Sequence, residues 1–364
     1  MYNLAQGVYT SDEVARLLRQ SRTVTYGFDI LDKNEVTIGA AHSSDCKIFN
    51  NIDASIQRSA SLTLVESGDI DFASDRLRPY MMLHTDKGML TYPLGLFLMS
   101  SPTRRPSGGS IQRMIECYDK TQILEDDKFT ERYVVQKQTA YTAAVAAIIA
   151  SAGITQTDIE HSSSETETDI EFSIGTSKLS ACNALLDAIN YYPVYADSYG
   201  RIAVKPYILP YNRSIDAVFD TGELSITASG AQEDMDMFNV PNKIVRYLEN
   251  AERGYLISSI QDDNPESKLS TVSRGRTIVD IAAVSDVADQ GALDTMVARL
   301  LAERQIYQTL SFETLNMPNH EYADCLYIDN KEINVSGKFI ETAWQMDLSV
   351  GGRMRHTCRK AVNV

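Results

Sequence analysis

Two histidines and two cysteines in the last fifty residues are the first candidates for chemistry, because both residue types bind zinc. His320 is followed by Cys325, and His356 is followed two residues later by Cys358. Residues two apart on a strand share a face, so His356 and Cys358 could bind one ion. They fit equally well as core-facing residues of a strand whose other face carries arginine. The sequence favours this second interpretation, and we predict no metal site.

Hydrolytic catalysis has no recognisable motif in this chain. The G-x-S-x-G elbow of serine hydrolases does not occur. The 49 acidic residues always allow a carboxylate pair for glycoside cleavage, but runs such as Glu125–Asp127 lie in polar stretches that would not raise a pKa. The five histidines also stand in unrelated contexts, at positions 42, 84, 161, 320 and 356. We therefore predict no catalytic residues.

Cofactor binding and disulfide bonding are equally unsupported. The glycine-containing segments 107–109 and 273–276 lack the spacing of nucleotide-binding loops, so we predict loops and no cofactor. The cysteines are single, odd in number and without a C-x-x-C pair, which predicts reduced thiols in the core. Their positions are 46, 117, 182, 325 and 358.

The formal net charge of −15 argues against a protein that grips nucleic acid, because phosphate binding requires clustered lysine and arginine. An acidic pore wall would instead keep a passing polyanion from sticking. Solubility alone also accounts for this charge. The first residues lack the basic start and apolar core of a signal peptide, and no run approaches the length of a membrane span. We expect synthesis in the cytoplasm and no membrane insertion.

The elements that would position any site begin with a short helix. Thr10 and Glu13 have capping-box spacing. From Thr23 the apolar period changes to two, which predicts a series of strands. The segment 102–109 contains Pro and Gly and is expected to be a flexible connection. These features predict a first β domain over residues 1–127, built as a small barrel or sandwich.

The remainder divides into two further parts. Residues 128–215 carry two helical patterns, one Ala-rich over 139–152 and one capped by Thr176 or Ser177, which predicts a compact α+β domain. Strand patterns resume in 216–364, interrupted by one helix capped near Asp286. The predicted fold class is α+β, mainly β, with two antiparallel β-barrel or sandwich domains flanking the smaller α+β domain.

The clearest strand pattern lies at residues 340–350. Apolar or small residues occupy the even positions, which predicts a buried face. Glu341, Gln345 and Asp347 occupy odd positions and are expected to point outward. Gly351-Gly352 then supplies a tight turn, and Arg353, Arg355 and Arg359 alternate with core residues in the returning strand.

Several segments together resemble the hub proteins at the tip of bacteriophage tail tubes. The likeness rests on the order and spacing of segments across nearly the whole chain, and no single motif is specific. The segments are Leu94–Phe97, Glu116–Lys120, Ala188–Tyr191, Asn242–Val245, Asn264–Thr271, Arg274–Arg276, the helix at 288–306, the turn from Met317-Pro318 to Ala323-Asp324, and Trp344–Met354.

This resemblance implies a non-enzymatic homotrimer in which each subunit contributes two tube-type β-barrels. Such a ring would adapt a sixfold tail tube to a threefold spike or fibre and let DNA pass during ejection. It is similar to the N-terminal part of type VI secretion spike proteins. The implied partners are a tail tube or distal tail protein above and a spike, fibre or tape measure protein below. The implied location is the virion tail tip, assembled in the bacterial host cytoplasm.

Two alternatives remain open at this stage. One is a tail-associated peptidoglycan or glycan hydrolase. The other is a receptor- or carbohydrate-binding tail module, which a groove lined by the 19 tyrosines would favour. Under the hub interpretation, the outward residues Glu341, Gln345 and Asp347 are candidates for the lumen or for the contact with a neighbouring subunit.

Overall fold

A computed structural model describes most of the chain and is mainly β, as predicted. Among the described residues, no helix is long and apolar enough to cross a membrane. The described ranges are 1–65, 70–100, 102–108, 110–222, 225–235, 237–250, 254–305 and 308–361.

The first β part is a closed barrel. Strand β1 pairs antiparallel with both β2 and β4, and β6, β8 and β3 complete the ring. Closure leaves these six strands without a free edge over the paired length. The elements are α1 (Ser11–Leu18), β1 (Thr23–Leu31), β2 (Thr37–Asn51), β3 (Arg58–Val65), β4 (Arg76–Thr85), β5 (Gly88–Pro93), β6 (Phe97–Met99), β7 (Thr103–Ser107) and β8 (Ser110–Asp119).

Two local predictions in this part have different outcomes. The predicted capping box is confirmed, because the Thr10 hydroxyl accepts from the Glu13 backbone N–H and the Glu13 carboxylate accepts from the Thr10 backbone. The expected flexible connection at 102–109 is wrong, because β7 pairs with β8 as a hairpin. Pro106 is compatible with β7 because β7 is an edge strand, where a missing N–H costs no ladder bond.

The middle part is a compact α+β unit. Helices α3 and α4 pack together over Val145, Ile148, Leu185 and Leu186. Ser177 caps α4, as predicted, by accepting from the Ser180 N–H at 3.1 Å. The elements are α2 (Thr121–Asp126), β9 (Tyr133–Val135), α3 (Tyr141–Ser151), β10 (Thr157–Ile159), β11 (Ile170–Phe172), α4 (Lys178–Asp187), β12 (Tyr195–Ala196) and β13 (Ile202–Val204), followed by a 3-10 turn at Pro210–Asn212.

The last part contains two sheets. Strands β16, β17 and β18 form a small sheet covered on one face by α6, whereas β14, β15 and β19–β22 join the large sheet. The cap of α6, predicted near Asp286, is Asp289, whose side chain accepts from the Ala292 N–H. The elements are β14 (Ala217–Asp220), β15 (Gln232–Met235), β16 (Lys243–Asn250), β17 (Gly254–Gln261), α5 (Thr271–Arg274), β18 (Val279–Ala283), α6 (Gln290–Arg304), β19 (Gln308–Leu315), β20 (Cys325–Asn330), β21 (Val335–Asp347) and β22 (Arg353–Lys360).

The first and last β parts share one sheet and one core. Residues Lys47–Asn51 of β2 pair antiparallel with Ala343–Asp347 of β21. Ile48 of the first part and Trp344 of the last part belong to the same hydrophobic cluster. The two β parts are therefore joined by hydrogen bonds and by packing. The boundaries near residues 127 and 215 remain a prediction.

Candidate functional site

Two histidines and one glutamate meet inside the last β part. His320 lies in the loop between β19 and β20, Glu341 lies on β21, and His356 lies on β22. Nδ1 of His320 is 2.6 Å from one carboxylate oxygen of Glu341, and Nδ1 of His356 is 2.5 Å from the other. We call these three residues the His–Glu–His cluster. Two strands and one loop must therefore keep their positions for the cluster to persist.

The cluster is enclosed by aromatic and polar side chains. His320, Glu341 and His356 are each no more than 1% exposed. The ring of His356 stacks 4.7 Å from that of Phe312, and its Nε2 lies 2.7 Å from the hydroxyl oxygen of Thr314. Nε2 of His320 is buried and has no hydrogen-bond partner. The hydrogen bonds within the cluster therefore leave one polar atom unsatisfied.

Burial and charge act in opposite directions on this cluster. Burial alone would raise the pKa of Glu341, but the attraction of His320 and His356 outweighs it and lowers the pKa to about 2. Burial lowers the pKa of His356, and the Glu341 carboxylate opposes this only in part. Glu341 is therefore ionised near pH 7.

The position of Glu341 corrects the sequence prediction. Glu341 was expected to point outward into a lumen or toward a neighbouring subunit, and it is 1% exposed instead. The physical reason is a register shift between Glu341 and Ala343, which interrupts the strict alternation of β21. Gln345 and Asp347, beyond the shift, are half-buried. The even positions from Ile340 to Leu348 are buried as predicted, whereas Val350 is exposed.

The structure also changes the pairs of candidate zinc ligands that the sequence suggested, His320 with Cys325 and His356 with Cys358. The structure places His320 and His356 with Glu341, and the three potential ligand atoms lie within 4.8 Å of one another. Cys325 and Cys358 are buried, as are the other three cysteines, and neither belongs to this group. Strand alternation assigned Glu341 to the wrong face, so the sequence carried no signal that would have brought it to the histidines.

A second buried polar centre joins the three parts of the chain. Arg58 of β3 is 1% exposed and donates to the Ser198 hydroxyl at 2.8 Å and to the Glu321 carboxylate at 2.9 Å. Its backbone N–H donates to the Asp119 carboxylate at 2.8 Å. Burial raises the pKa of Glu321, and Arg58 opposes that shift. One arginine thus connects the barrel with the middle part and with the β19–β20 loop.

Tyrosines gather where the middle part meets α6 and the last β part. The ring centre of Tyr192 lies 5.0 Å from that of Tyr207 and 5.2 Å from that of Tyr322. These residues line a cavity of about 360 Å³ together with Arg299. Arg299 lies over the Tyr207 ring at 5.5 Å and forms an ion pair with Asp187. The tyrosines therefore pack at a junction between parts of the chain.

The small sheet exposes an apolar face. Its inner face packs on α6 through residues such as Ile244 and Leu248. Its outer face carries Tyr255 and Ile257 of β17, which are 56% and 48% exposed. Val279 and Ile281 of β18 are 50% and 62% exposed. We call Tyr255, Ile257, Val279 and Ile281 the outer sheet face. Grouped apolar side chains of this kind mark interaction surfaces.

Comparison with protein-family models gives no match, and comparison with curated proteins gives none. Solved structures do match. The tail protein from Neisseria meningitidis MC58 has a TM-score of 0.68 at 12% identity, covering 92% of this chain and 97% of that chain. The 43 kDa tail protein of prophage MuSo2 from Shewanella oneidensis has a TM-score of 0.63 at 9% identity, covering 92% and 98%.

A third similar structure comes from a secretion system. The E. coli c3393 protein is described as a type VI secretion component with structural similarity to the T4 bacteriophage tail proteins gp27 and gp5. Its TM-score is 0.51 at 10% identity, covering 89% of this chain and 74% of that chain. The chain thus has the fold of these tail proteins, and the resemblance drawn from the sequence is confirmed at the level of the fold.

Proposed function

We propose that this chain, which has the tail-protein fold, is a structural hub at the distal end of a phage tail tube. The observation that carries the proposal is the near-complete overlap with the Neisseria tail protein, over 92% of this chain and 97% of the other. In the proposed assembly, three copies form a ring that adapts the sixfold tube to a threefold spike or fibre. DNA passes through this ring during ejection.

The outer sheet face supports a contact with a second copy of this chain. A cyclic trimer needs two different surfaces on each subunit, because every copy contacts its neighbour head to tail. Tyr255, Ile257, Val279 and Ile281 provide one such surface, and contact with the next copy would remove their apolar area from water. Helix α6 covers the inner face of this sheet, so the outer face, whose four apolar residues are exposed, is the one proposed for the contact.

The charge of the chain suits a conduit. A net charge of −15 per copy would be tripled in a trimer, and a negative wall repels the phosphate backbone. Glu341 no longer counts among the lumen candidates because it is buried. Gln345 and Asp347, which remain partly accessible, are the residues of β21 that we propose for the lumen or the subunit contact. The proposed partners are a tail tube or distal tail protein above and a spike, fibre or tape measure protein below.

A non-enzymatic role is part of the proposal. Glu321 has a raised pKa of the kind that suits a general acid. Its carboxylate is nevertheless held by Arg58 and by the backbone N–H of Ser198, so it serves packing between parts of the chain. Zymography of the purified chain on peptidoglycan is expected to show no clearing. Clearing that disappears when one carboxylate is replaced would assign a hydrolase instead.

Oligomeric state tests the hub proposal directly. Light scattering on the purified 40.5 kDa chain should give three times the monomer mass. Electron microscopy of tails carrying the protein should show a threefold ring at the distal end. A stable monomer in solution, together with no ring in the tails, would overturn the proposal.

A further inference from the structure

We propose that His320, Glu341 and His356 bind one divalent transition-metal ion inside the last β part, and that zinc fits the site best. This inference concerns the interior of a single chain, so it does not depend on the assembly proposed above. It would give the cluster a structural role, tying the β19–β20 loop to β21 and β22.

The donor atoms are nearly in place for an ion. Zinc binds histidine nitrogen and carboxylate oxygen at about 2.0–2.2 Å, so tetrahedral ligand atoms stand about 3.4 Å apart. In the cluster, the two Nδ1 atoms are 2.6 and 2.5 Å from the Glu341 oxygens. All three potential ligand atoms lie within 4.8 Å of one another. Movements of less than about 1 Å would therefore open the cluster around an ion.

Charge balance favours a cation at this place. Among the described residues, no lysine or arginine forms an ion pair with the buried Glu341 carboxylate, whose partners are the imidazoles of His320 and His356. The Asp324 carboxylate lies 3.8 Å from Nδ1 of His320 and is itself paired with the Met1 ammonium. A buried carboxylate needs a compensating charge or hydrogen bonds. A divalent ion between Glu341 and the histidines would supply that charge.

The surroundings resemble the support that metal ligands receive. A histidine bound to metal through Nδ1 carries its proton on Nε2, and that N–H is normally held by an oxygen. For His356, the Thr314 hydroxyl lies 2.7 Å from Nε2 and can accept this bond. Nε2 of His320 is buried without a partner, so only His356 of the two histidines has this support.

The donor set and the burial identify the ion class. Two imidazoles and one carboxylate suit zinc and neighbouring transition metals, whereas magnesium and calcium prefer oxygen ligands. Asp324 offers the nearest further carboxylate for a fourth position, and binding an ion would replace the bond of that carboxylate with the Met1 ammonium or with the Glu321 N–H. His320, Glu341, His356 and Asp324 are each no more than 1% exposed. Such a closed set of protein ligands is typical of a structural zinc site.

Metal content of variants tests the site. The full chain and three variants, His356→Gln, Glu341→Gln and His84→Gln, are purified from zinc-supplemented cultures and measured by mass spectrometry for metals. His84 is exposed and bonds Thr25, so His84→Gln is the matched control. The wild-type chain and the control should hold about one zinc per chain. The zinc content of either cluster variant should be at least about tenfold lower than that of the wild-type chain when zinc is limiting.

A measurement on the wild-type chain keeps the test decisive if the cluster variants do not fold. The chain is unfolded in guanidinium with a chelator and refolded with zinc, with magnesium or without metal. Zinc alone should raise the melting temperature, and cobalt in its place should give the visible absorption bands of a low-symmetry site with nitrogen ligands. A wild-type chain that is purified without metal and melts at the same temperature with zinc as with the chelator would overturn the proposal.

Discussion

The guanidinium of Arg58 lies 5.3 Å from the ring centre of Trp344, so a cation from the first β part rests on the one tryptophan of the last. This contact adds to the bonds that Arg58 makes with Ser198 and Glu321. Side chains from all three parts of the chain therefore converge on one buried arginine, and the parts are expected to unfold together.

Replacing Arg58 tests this coupling. Arg58→Ala leaves the Glu321 carboxylate without its cation, and removing one partner of a buried ion pair costs about 3–5 kcal/mol. Denaturant unfolding should show that loss of free energy. The control is Arg105→Ala, because Arg105 is exposed on β7 and such surface changes stay within about 0.5 kcal/mol. Equal effects of the two substitutions would contradict the role assigned to Arg58.

The outer sheet face should be sensitive to charge. Ile281→Asp places a carboxylate on a surface that we propose is covered in the trimer, where an unpaired charge is costly. We expect the trimer to be lost while the monomer remains folded, measured by mass photometry and circular dichroism. Val350→Asp is the matched control, because Val350 is exposed in a turn outside this face. A trimer that survives Ile281→Asp would show that the subunits meet elsewhere.

A glycine packed between parts of the chain should not tolerate a side chain. Gly200 has a φ of +79°, and a Cβ there would lie 2.5 Å from the Cβ of Leu96. Gly200→Ala should therefore cost about 1–3 kcal/mol through overpacking, in addition to backbone strain. Gly39→Ala is the matched control, because no atom lies within 4 Å of the new Cβ and the backbone at Gly39 has no positive φ. Thermal melts should show a lower midpoint for the first variant than for the second.

Because the thiols are buried, the native protein should not react with thiol reagents, and its stability should fall at alkaline pH. Burial raises the pKa of Cys182 from 9.0 to about 12, so the native thiol keeps its proton when the unfolded thiol loses it. This difference stabilises the native state below pH 9 and is lost as the pH rises toward 12. Ellman's reagent at pH 8 should label none of the five buried cysteines before unfolding and all five afterwards. Rapid labelling of the native protein would contradict their burial.

Local signals in the sequence were sufficient for much of the fold. The capping box at Thr10 and Glu13 and the serine cap of α4 were predicted because such contacts involve residues three apart. The alternation from Ile340 to Leu348 predicted the buried face of β21, because a strand has a side-chain period of two. Interactions between neighbours in the chain thus determine these elements.

The candidate site depended on features that a single sequence does not display. The register shift after Glu341 moves that carboxylate into the core, and no turn residue marks it. Lys47–Asn51 pairs with Ala343–Asp347, which lies about 300 residues further along the chain. Hydrophobic periodicity predicts that each segment is a strand but not which strand it pairs with. The His–Glu–His cluster was missed because it needs this shift and the pairing of β21 with β22, which brings Glu341 and His356 together.

The ladder between β2 and β21 also sets an order of events during synthesis. The β2 edge from Lys47 to Asn51 can be completed only after residues 343–347 have left the ribosome. Contacts between such distant segments form slowly, and an open edge can pair with other chains in the meantime. Chains whose translation stops before residue 343 would therefore retain an exposed edge. Truncated chains would thus present an unpaired β2 edge that finished chains lack.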